Sequence, residues 1–513
     1  MLSVIYGSSL RGVEAERIGV EVSVGRGLGY QITGLAGDSI RESLSRIAIA
    51  IDNCGYRMPR NKVVINLTPA DVRKTGTALD LPIALGILAA SEQLVLPSDI
   101  GTFQIAGELG LDGSVYPVRG ALCMAACAGG LGFSAIILPK GNGGETAPVK
   151  DVKVYTVTHL KELAETFSKG VVLPLATAAT GLRAPFVKAP LDYSDIKGQP
   201  SMKRTMEIVA AGGHNALLIG SPGTGKTMVA KRLPSILPPM TIKESLDTTR
   251  IYSVLEEPCA YHGLVTERPF RSPHHTCSDV ALSGGGSFCS PGEISKAHNG
   301  VLFLDELPEF SRNAIEVLRQ PLEEQKIHIA RARMSLIYPA SFILLASMNP
   351  CPCGYFGHPS GRCKCSNKAI NYYRKKISGP LLDRIDLQVV SDPEPLHFLN
   401  SGTKEEEPSS MIRQRVVRAR ELQNLRYKDL GEGICNARVP EGYINQFFPL
   451  EPHALKYLQS SMQRLQLSAR SADRILKVGR TIADLTESKN IELEHIAETI
   501  HMKFSSLWPW VKK

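Results

Sequence analysis

Three unbroken apolar runs mark the middle of this 513-residue chain: Ala216-Leu217-Leu218-Ile219, Val301-Leu302-Phe303-Leu304 and Phe342-Ile343-Leu344-Leu345-Ala346. Runs of four or five apolar residues suit strands buried on both faces, as in a parallel sheet covered by helices. Residues 1 to about 170 read differently. There, β-branched stretches (from Val20 onward, 62–67 and 134–138) interleave with helical ones such as 40–51, which predicts a separate α/β domain. Beyond residue 411 the spacing of Ile412, Val416, Val417 and Leu422, and of Ile475, Val478, Ile482 and Leu485, is helical and predicts a small all-helical lid. The pattern thus predicts a multidomain α/β protein: a domain over 1–170, a linker over 171–190, a nucleotide-binding core over 191–400, a charged connector over 401–408 and a lid over 411–513.

The first apolar run leads into Gly220, Ser221, Pro222, Gly223, Thr224, Gly225, Lys226 and Thr227, and a helical stretch follows from Met228. Strand, glycine loop and helix in that order make a phosphate cradle, because successive backbone N–H groups and the helix N-terminus face the same anion. At this spacing Lys226 reaches the β- and γ-phosphates and the Thr227 hydroxyl ligates Mg²⁺. The second run ends in Asp305-Glu306, an acidic pair at the carboxyl end of a strand, where ligands bind in open α/β sheets. Asp305 is placed to hold Mg²⁺ and Glu306 to activate the attacking water. The third run ends in Ser347-Met348-Asn349, and Asn349 is placed to position that water against the γ-phosphate. Hydrolysis of a nucleoside triphosphate, ATP, is the expected reaction.

Composition narrows the setting. Lys and Arg outnumber Asp and Glu by 59 to 50, which permits a polyanionic partner without requiring one. The longest apolar stretch, 79–90, is too short to span a bilayer, and the start lacks the basic region of a signal peptide, so no membrane partner and a cytoplasmic location are expected. Eleven cysteines, four of them in one short segment, do not make a secreted disulfide framework. Those four, Cys351, Cys353, Cys363 and Cys365, form two C-x-C pairs nine residues apart, a soft donor set suited to structural Zn²⁺.

Two arginines imply an assembly. Arg384, in Leu381-Leu382-Asp383-Arg384-Ile385-Asp386, stands where a ring ATPase projects a guanidinium toward the neighbouring subunit's γ-phosphate. Arg470 opens a lid helix and is expected to close over the phosphates, with Arg474 one turn on as the competing candidate. Residues 326–333 read as a hairpin whose Lys326, Arg331 and Arg333 have the charge for sequence-independent contacts to a phosphate backbone. That hairpin and a second segment, 272–290 with its Gly284-Gly285-Gly286 tip, are expected to line a ring's central channel.

The blocks Arg268-Pro269-Phe270-Arg271-Ser272-Pro273-His274-His275, Pro291-Gly292-Glu293-Ile294-Ser295-Lys296-Ala297-His298-Asn299-Gly300 and Asn349-Pro350-Cys351-Pro352-Cys353-Gly354 resemble the ComM/YifB family, bacterial AAA+ proteins of magnesium-chelatase type. The resemblance covers essentially the whole chain. It implies a homohexameric AAA+ helicase acting on single-stranded, double-stranded and branched DNA, which migrates branches in recombination during natural transformation beside other recombination proteins. It also likens the first domain to the Lon protease fold. Ala78 stands where that fold has its serine and Leu122 where it has its lysine, so acyl transfer has neither nucleophile nor base. The rivals are a chelatase-type motor that remodels a partner protein and a regulatory ATPase without DNA work.

Overall fold

The computed structural model describes residues 1–71, 74, 76–170, 173–177, 191–255, 263–286, 289–331, 334–391 and 406–504. The chain divides into two units: residues 1–186 with 245–265, and residues 187–244 with 266–513. The excursion at 245–265 folds with the first unit, although neither composition nor periodicity sets it apart from its flanks.

The first unit is built on a seven-stranded sheet in the order Tyr30–Thr33, Lys62–Thr68, Glu14–Gly25, Leu2–Arg11, Phe103–Ile105, Ala135–Pro139, Lys153–Val157. Leu2–Arg11 and Glu14–Gly25 form an antiparallel hairpin, and the last three strands run parallel. The apolar run at 79–90 becomes the helix Asp80–Ala90, buried at every position, as expected of a helix apolar all round. Part of the expected linker folds as well. Ala176 N–H donates to Val154 O (2.8 Å) and Thr156 N–H to Pro174 O (2.8 Å), because Leu173 is buried and draws its neighbours onto the sheet edge. The rest of 171–190 lies outside the described residues.

The second unit holds a five-stranded sheet in the order Phe270–Arg271, Val301–Leu304, Ile343–Met348, Ala216–Gly220, Leu387–Ser391, every pair parallel. Three of these strands, Val301–Leu304, Ile343–Met348 and Ala216–Gly220, are buried along their whole length, which is why they read as unbroken apolar runs. Asn215 fixes the strand entries: its side chain accepts from Leu344 N–H (2.8 Å) and donates to Arg384 O (3.1 Å). The lid helices Ser409–Arg426, Pro452–Leu465, Ala469–Leu485 and Leu493–Phe504 enclose a core around Tyr427, Phe448, Ile475 and Ile496. Ile412, Val416, Val478 and Ile482 face the sheet domain instead. Among the described residues no helix is long and apolar enough to cross a membrane.

Candidate active site

At the carboxyl end of Ala216–Gly220 the chain turns through Gly223 and Gly225, both at φ near +80°, where a side chain would be strained. The helix Lys226–Ile236 begins at once. Lys226 is 8% exposed, and its Nζ donates to Gly220 O (2.6 Å), Ser221 O (2.9 Å) and Asn349 Oδ1 (3.4 Å). Burial lowers its pKa, and the nearby Asp305 and Glu306 carboxylates push back. An ammonium folded onto its own loop, with two carboxylates nearby, is a cation poised for phosphate. Met228, on the first turn, is half-exposed.

The acidic pair is split by its surroundings. Asp305 Oδ2 accepts from the Thr227 hydroxyl (2.8 Å), and Oδ1 accepts from Ser347 Oγ, which in turn accepts the Glu306 N–H (3.2 Å). Glu306 has a left-handed backbone (φ 55°), a side chain 53% exposed, and His275 Nδ1 at 3.6 Å from its carboxylate. One carboxylate is thus held still and the other is free to face water. A hydroxyl and a carboxylate oxygen brought this close suit a hard divalent cation, so Thr227 and Asp305 fit Mg²⁺. Ser347 and His275 carry no role in the sequence reading. Ser347 could have been found by its strand spacing, two positions before Asn349; nothing in the sequence signals the contact of His275.

The four cysteine sulfurs converge, all within 4.8 Å of one another. Cys351 Sγ is 3.3 Å from Cys353 Sγ and 3.7 Å from Cys363 Sγ, and the latter two are 3.6 Å apart. A tetrahedral zinc thiolate site, with Zn–S of about 2.3 Å, has sulfurs about 3.8 Å apart, so the donor set fits the metal. His358 turns elsewhere, to Ser360 Oγ (2.7 Å). The cysteine loop also leans on the phosphate loop: a Cβ built on Gly354 would lie 2.6 Å from Pro222 Cδ.

Arg384 and Arg470 are not beside the phosphate loop. Arg384 precedes the strand Leu387–Ser391, which runs parallel to Ala216–Gly220, so it stands at the opposite edge of the sheet, about 16 Å away at 3.3 Å per residue. Its guanidinium donates to Pro380 O (2.5 Å) and pairs with Glu323 (2.5 Å). Arg470 lies there too, 3.9 Å from the same Glu323 oxygen, and therefore does not close over this chain's own phosphates as expected. The connection from the lid brings it to the far edge instead. Arg474 pairs with the buried Asp386 (3.1 Å), whose carboxyl burial alone would raise but which His214, Arg474 and Lys503 hold below the usual range. A cavity of about 460 Å³ is lined by Glu323, Asp386, Arg470, Arg474 and Lys477 among others.

Lys326–Arg331 pairs with Met334–Pro339 as an antiparallel hairpin, in register from Lys326↔Pro339 to Arg331↔Met334. Lys326 is exposed. The Arg331 side chain and all of Arg333 lie outside what the structure describes. The hairpin meets the 272–290 segment: Tyr338 OH donates to Cys289 O (3.0 Å), and Ile329 packs on Gly284. In the first unit Leu122 is fully buried and Ala78 half-buried, while Ser114 Oγ donates to Asp112 (2.8 Å) and Lys74 Nζ is turned to carbonyls, so these positions assemble no dyad.

Comparison with known proteins agrees with this geometry. Family models described as magnesium chelatase, subunit ChlI, and as its C-terminal part match residues 192–396 and 406–503, and one described as subunit ChlI of Mg-chelatase matches 20–142. The chain is 40% identical to the uncharacterized protein YifB of Escherichia coli, over 97% of this chain and 96% of that one. It is 39% identical to the competence protein ComM of Haemophilus influenzae, over 97% of each. The magnesium-chelatase 38 kDa subunit of Cereibacter sphaeroides is 27% identical over 32% of this chain and 54% of its own length. With a glycine loop, acidic strand end and polar third strand end on one sheet edge, and full-length likeness to these relatives, the chain belongs to the ComM/YifB family of magnesium-chelatase-like AAA+ proteins.

Proposed function

We propose that the protein is a cytoplasmic, hexameric, ATP-hydrolysing motor that translocates on DNA and migrates branches during recombination. The observation that carries this reading is the full-length likeness to competence protein ComM, together with the hairpin on the ATPase unit, whose Lys326 is exposed. Lys226 and the loop N–H groups are placed to hold the β- and γ-phosphates, and Thr227 and Asp305 would hold Mg²⁺, which would supply neutralisation of the phosphate charge. Glu306 takes the proton of the attacking water while Asn349 fixes its approach. Arg384 and Arg470, at the far sheet edge, serve the next subunit's nucleotide. The cysteine cluster holds one structural zinc that stiffens the segment behind Pro222.

A second reading, remodelling of a partner protein, is favoured by the chelatase descriptions of all three matching family models. The match at 20–142 means that the first domain does not by itself decide between them. Turnover of ATP with and without single-stranded, duplex and four-way-junction DNA separates the two. DNA stimulation together with ATP-dependent movement of the junction supports the DNA motor. Intact rings that neither bind DNA at low salt nor move the junction would refute it.

A further inference from the structure

Glu323 lies on the short helix Arg319–Glu324, three residues before the hairpin strand Lys326–Arg331 begins. It belongs to no nucleotide motif. Yet one of its oxygens is 2.5 Å from Arg384 and 3.9 Å from Arg470, residues 61 and 147 positions further along the chain by their numbers. The Arg384 side chain is 9% exposed, that of Glu323 43% and that of Arg470 60%. The three form a row from the protein interior to its surface. The hydrogen bond from Arg384 first, then the charges of Arg384, Arg470 and Arg474, hold the Glu323 carboxyl below its ordinary range, so it is an anion throughout the neutral range.

Two guanidiniums side by side repel unless an anion stands between them. A lone arginine on a lid helix also samples many rotamers, and a fixed partner removes that freedom before any phosphate arrives. We propose that Glu323 is a positioning residue that holds Arg384 and Arg470 together as one pair serving the neighbouring subunit. This rests on the reading that both arginines act across a subunit boundary. Glu323 also opens onto the hairpin: Gln325, at φ 56°, is the only residue between its helix and the first hairpin strand, and Ala340 N–H closes the hairpin base on Gln325 O (2.8 Å).

The test uses the full chain. Glu323→Gln should lower kcat of assembled rings about tenfold, with ATP affinity unchanged because the phosphate loop lies at the other sheet edge. Glu323→Asp should restore part of the rate. Mixing Glu323→Gln with Lys226→Ala subunits should recover turnover, since sound arginines then meet a sound phosphate loop. The double variant Glu323→Gln/Arg384→Ala should be no slower than Arg384→Ala alone. Wild-type kcat in Glu323→Gln, multiplicative losses in the double variant, or rings that fail to assemble would each overturn the proposal. If Arg384→Ala itself turned over normally, the ring reading would fall first and the positioning role with it. A slow Arg384→Ala beside a normal Glu323→Gln would sink the positioning role alone.

Discussion

Lys74 of the first unit and Lys226 of the second are both almost wholly withdrawn from water, at 0% and 8% exposure, and both aim Nζ at backbone carbonyls. Lys74 donates to Gly34 O (3.1 Å), Leu67 O (3.0 Å) and Pro69 O, which uses all three of its protons on the chain itself. Lys226 spends two protons on its own glycine loop and shares the third with Asn349 at a slack 3.4 Å, with Asp305 and Glu306 nearby. The first ammonium is a staple that ties its own segment to the turn at Gly34 and to the end of the strand Lys62–Thr68. The second is a cation that a phosphate can claim without any rebuilding of its surroundings. Burial alone does not make a lysine functional; what decides is whether its partners can be exchanged for a ligand.

Substitution of the two lysines is the strongest way to break this contrast. Lys226→Ala and Glu306→Gln should each cut ATP turnover by about 10³-fold, the first by loss of nucleotide binding and the second with binding retained. Lys74→Met should leave turnover per folded molecule unchanged but orphan three carbonyls, costing the first unit about 3 kcal/mol. Nucleotide binding, steady-state turnover and urea melts of each variant check the three outcomes. A Lys74→Met protein that melts normally yet hydrolyses slowly would make the first unit a chemical participant.

Arg384→Ala should slow hydrolysis about 10²-fold with ATP binding intact. Mixed with Lys226→Ala subunits it should regain part of its rate. No regain in rings shown to be mixed would make Arg384 a local ion pair of Glu323 and nothing more.

A smaller effect joins the cysteine cluster to the phosphate loop. Gly354→Ala places a Cβ against Pro222 at a backbone φ of +83°, so it should raise the KM for ATP several-fold while leaving every phosphate ligand in place. Metal analysis should find one zinc per chain, and its removal should raise KM in the same way. Zinc-free protein with an unchanged KM would leave the cluster without influence on the nucleotide.

Much of the site is legible in the sequence because its chemistry is local. Gly220 to Thr227 form one continuous turn, and Asp305 and Asn349 are found from the apolar strands that precede them. The contacts that escape are made between distant segments: Pro222 with Gly354, Glu306 with His275, Glu323 with Arg384 and Arg470. Neither helical nor strand periodicity constrains which residues of two distant segments will meet, so only the folded sheet brings them together. The position of Arg470 shows the same limit. Its place on the first turn of Ala469–Leu485 is readable from Ser468 as a cap, whose side chain accepts from Ser471 N–H, but the sheet edge it reaches depends on how the lid packs.

The smallest expected effect is a divergence of the two units with pH. In the first unit, burial pushes the Asp80 carboxyl up to about 6 against the pull of Arg46. Its folded pKa lies above the unfolded value, so its contribution to stability is complete below about pH 4 and is lost as pH rises through about 6. In the second unit, burial lowers the His298 imidazole to about 3, while its Nδ1 accepts the Ser341 N–H at 3.0 Å. Its folded pKa lies below the unfolded value, so its contribution is complete above about pH 6.5 and is lost as pH falls toward about 3. Going from pH 7 to pH 5.5 should therefore stabilise the first unit and destabilise the second, each by about 1 kcal/mol. Hydrogen exchange of peptides from each unit reads the two stabilities separately in one sample. Asp80→Asn should flatten the response of the first unit and leave the second as it was, and His298→Asn should do the reverse. If both units responded in the same direction, these two buried groups would not govern the pH dependence, and the paired carboxylates elsewhere in the chain would have to.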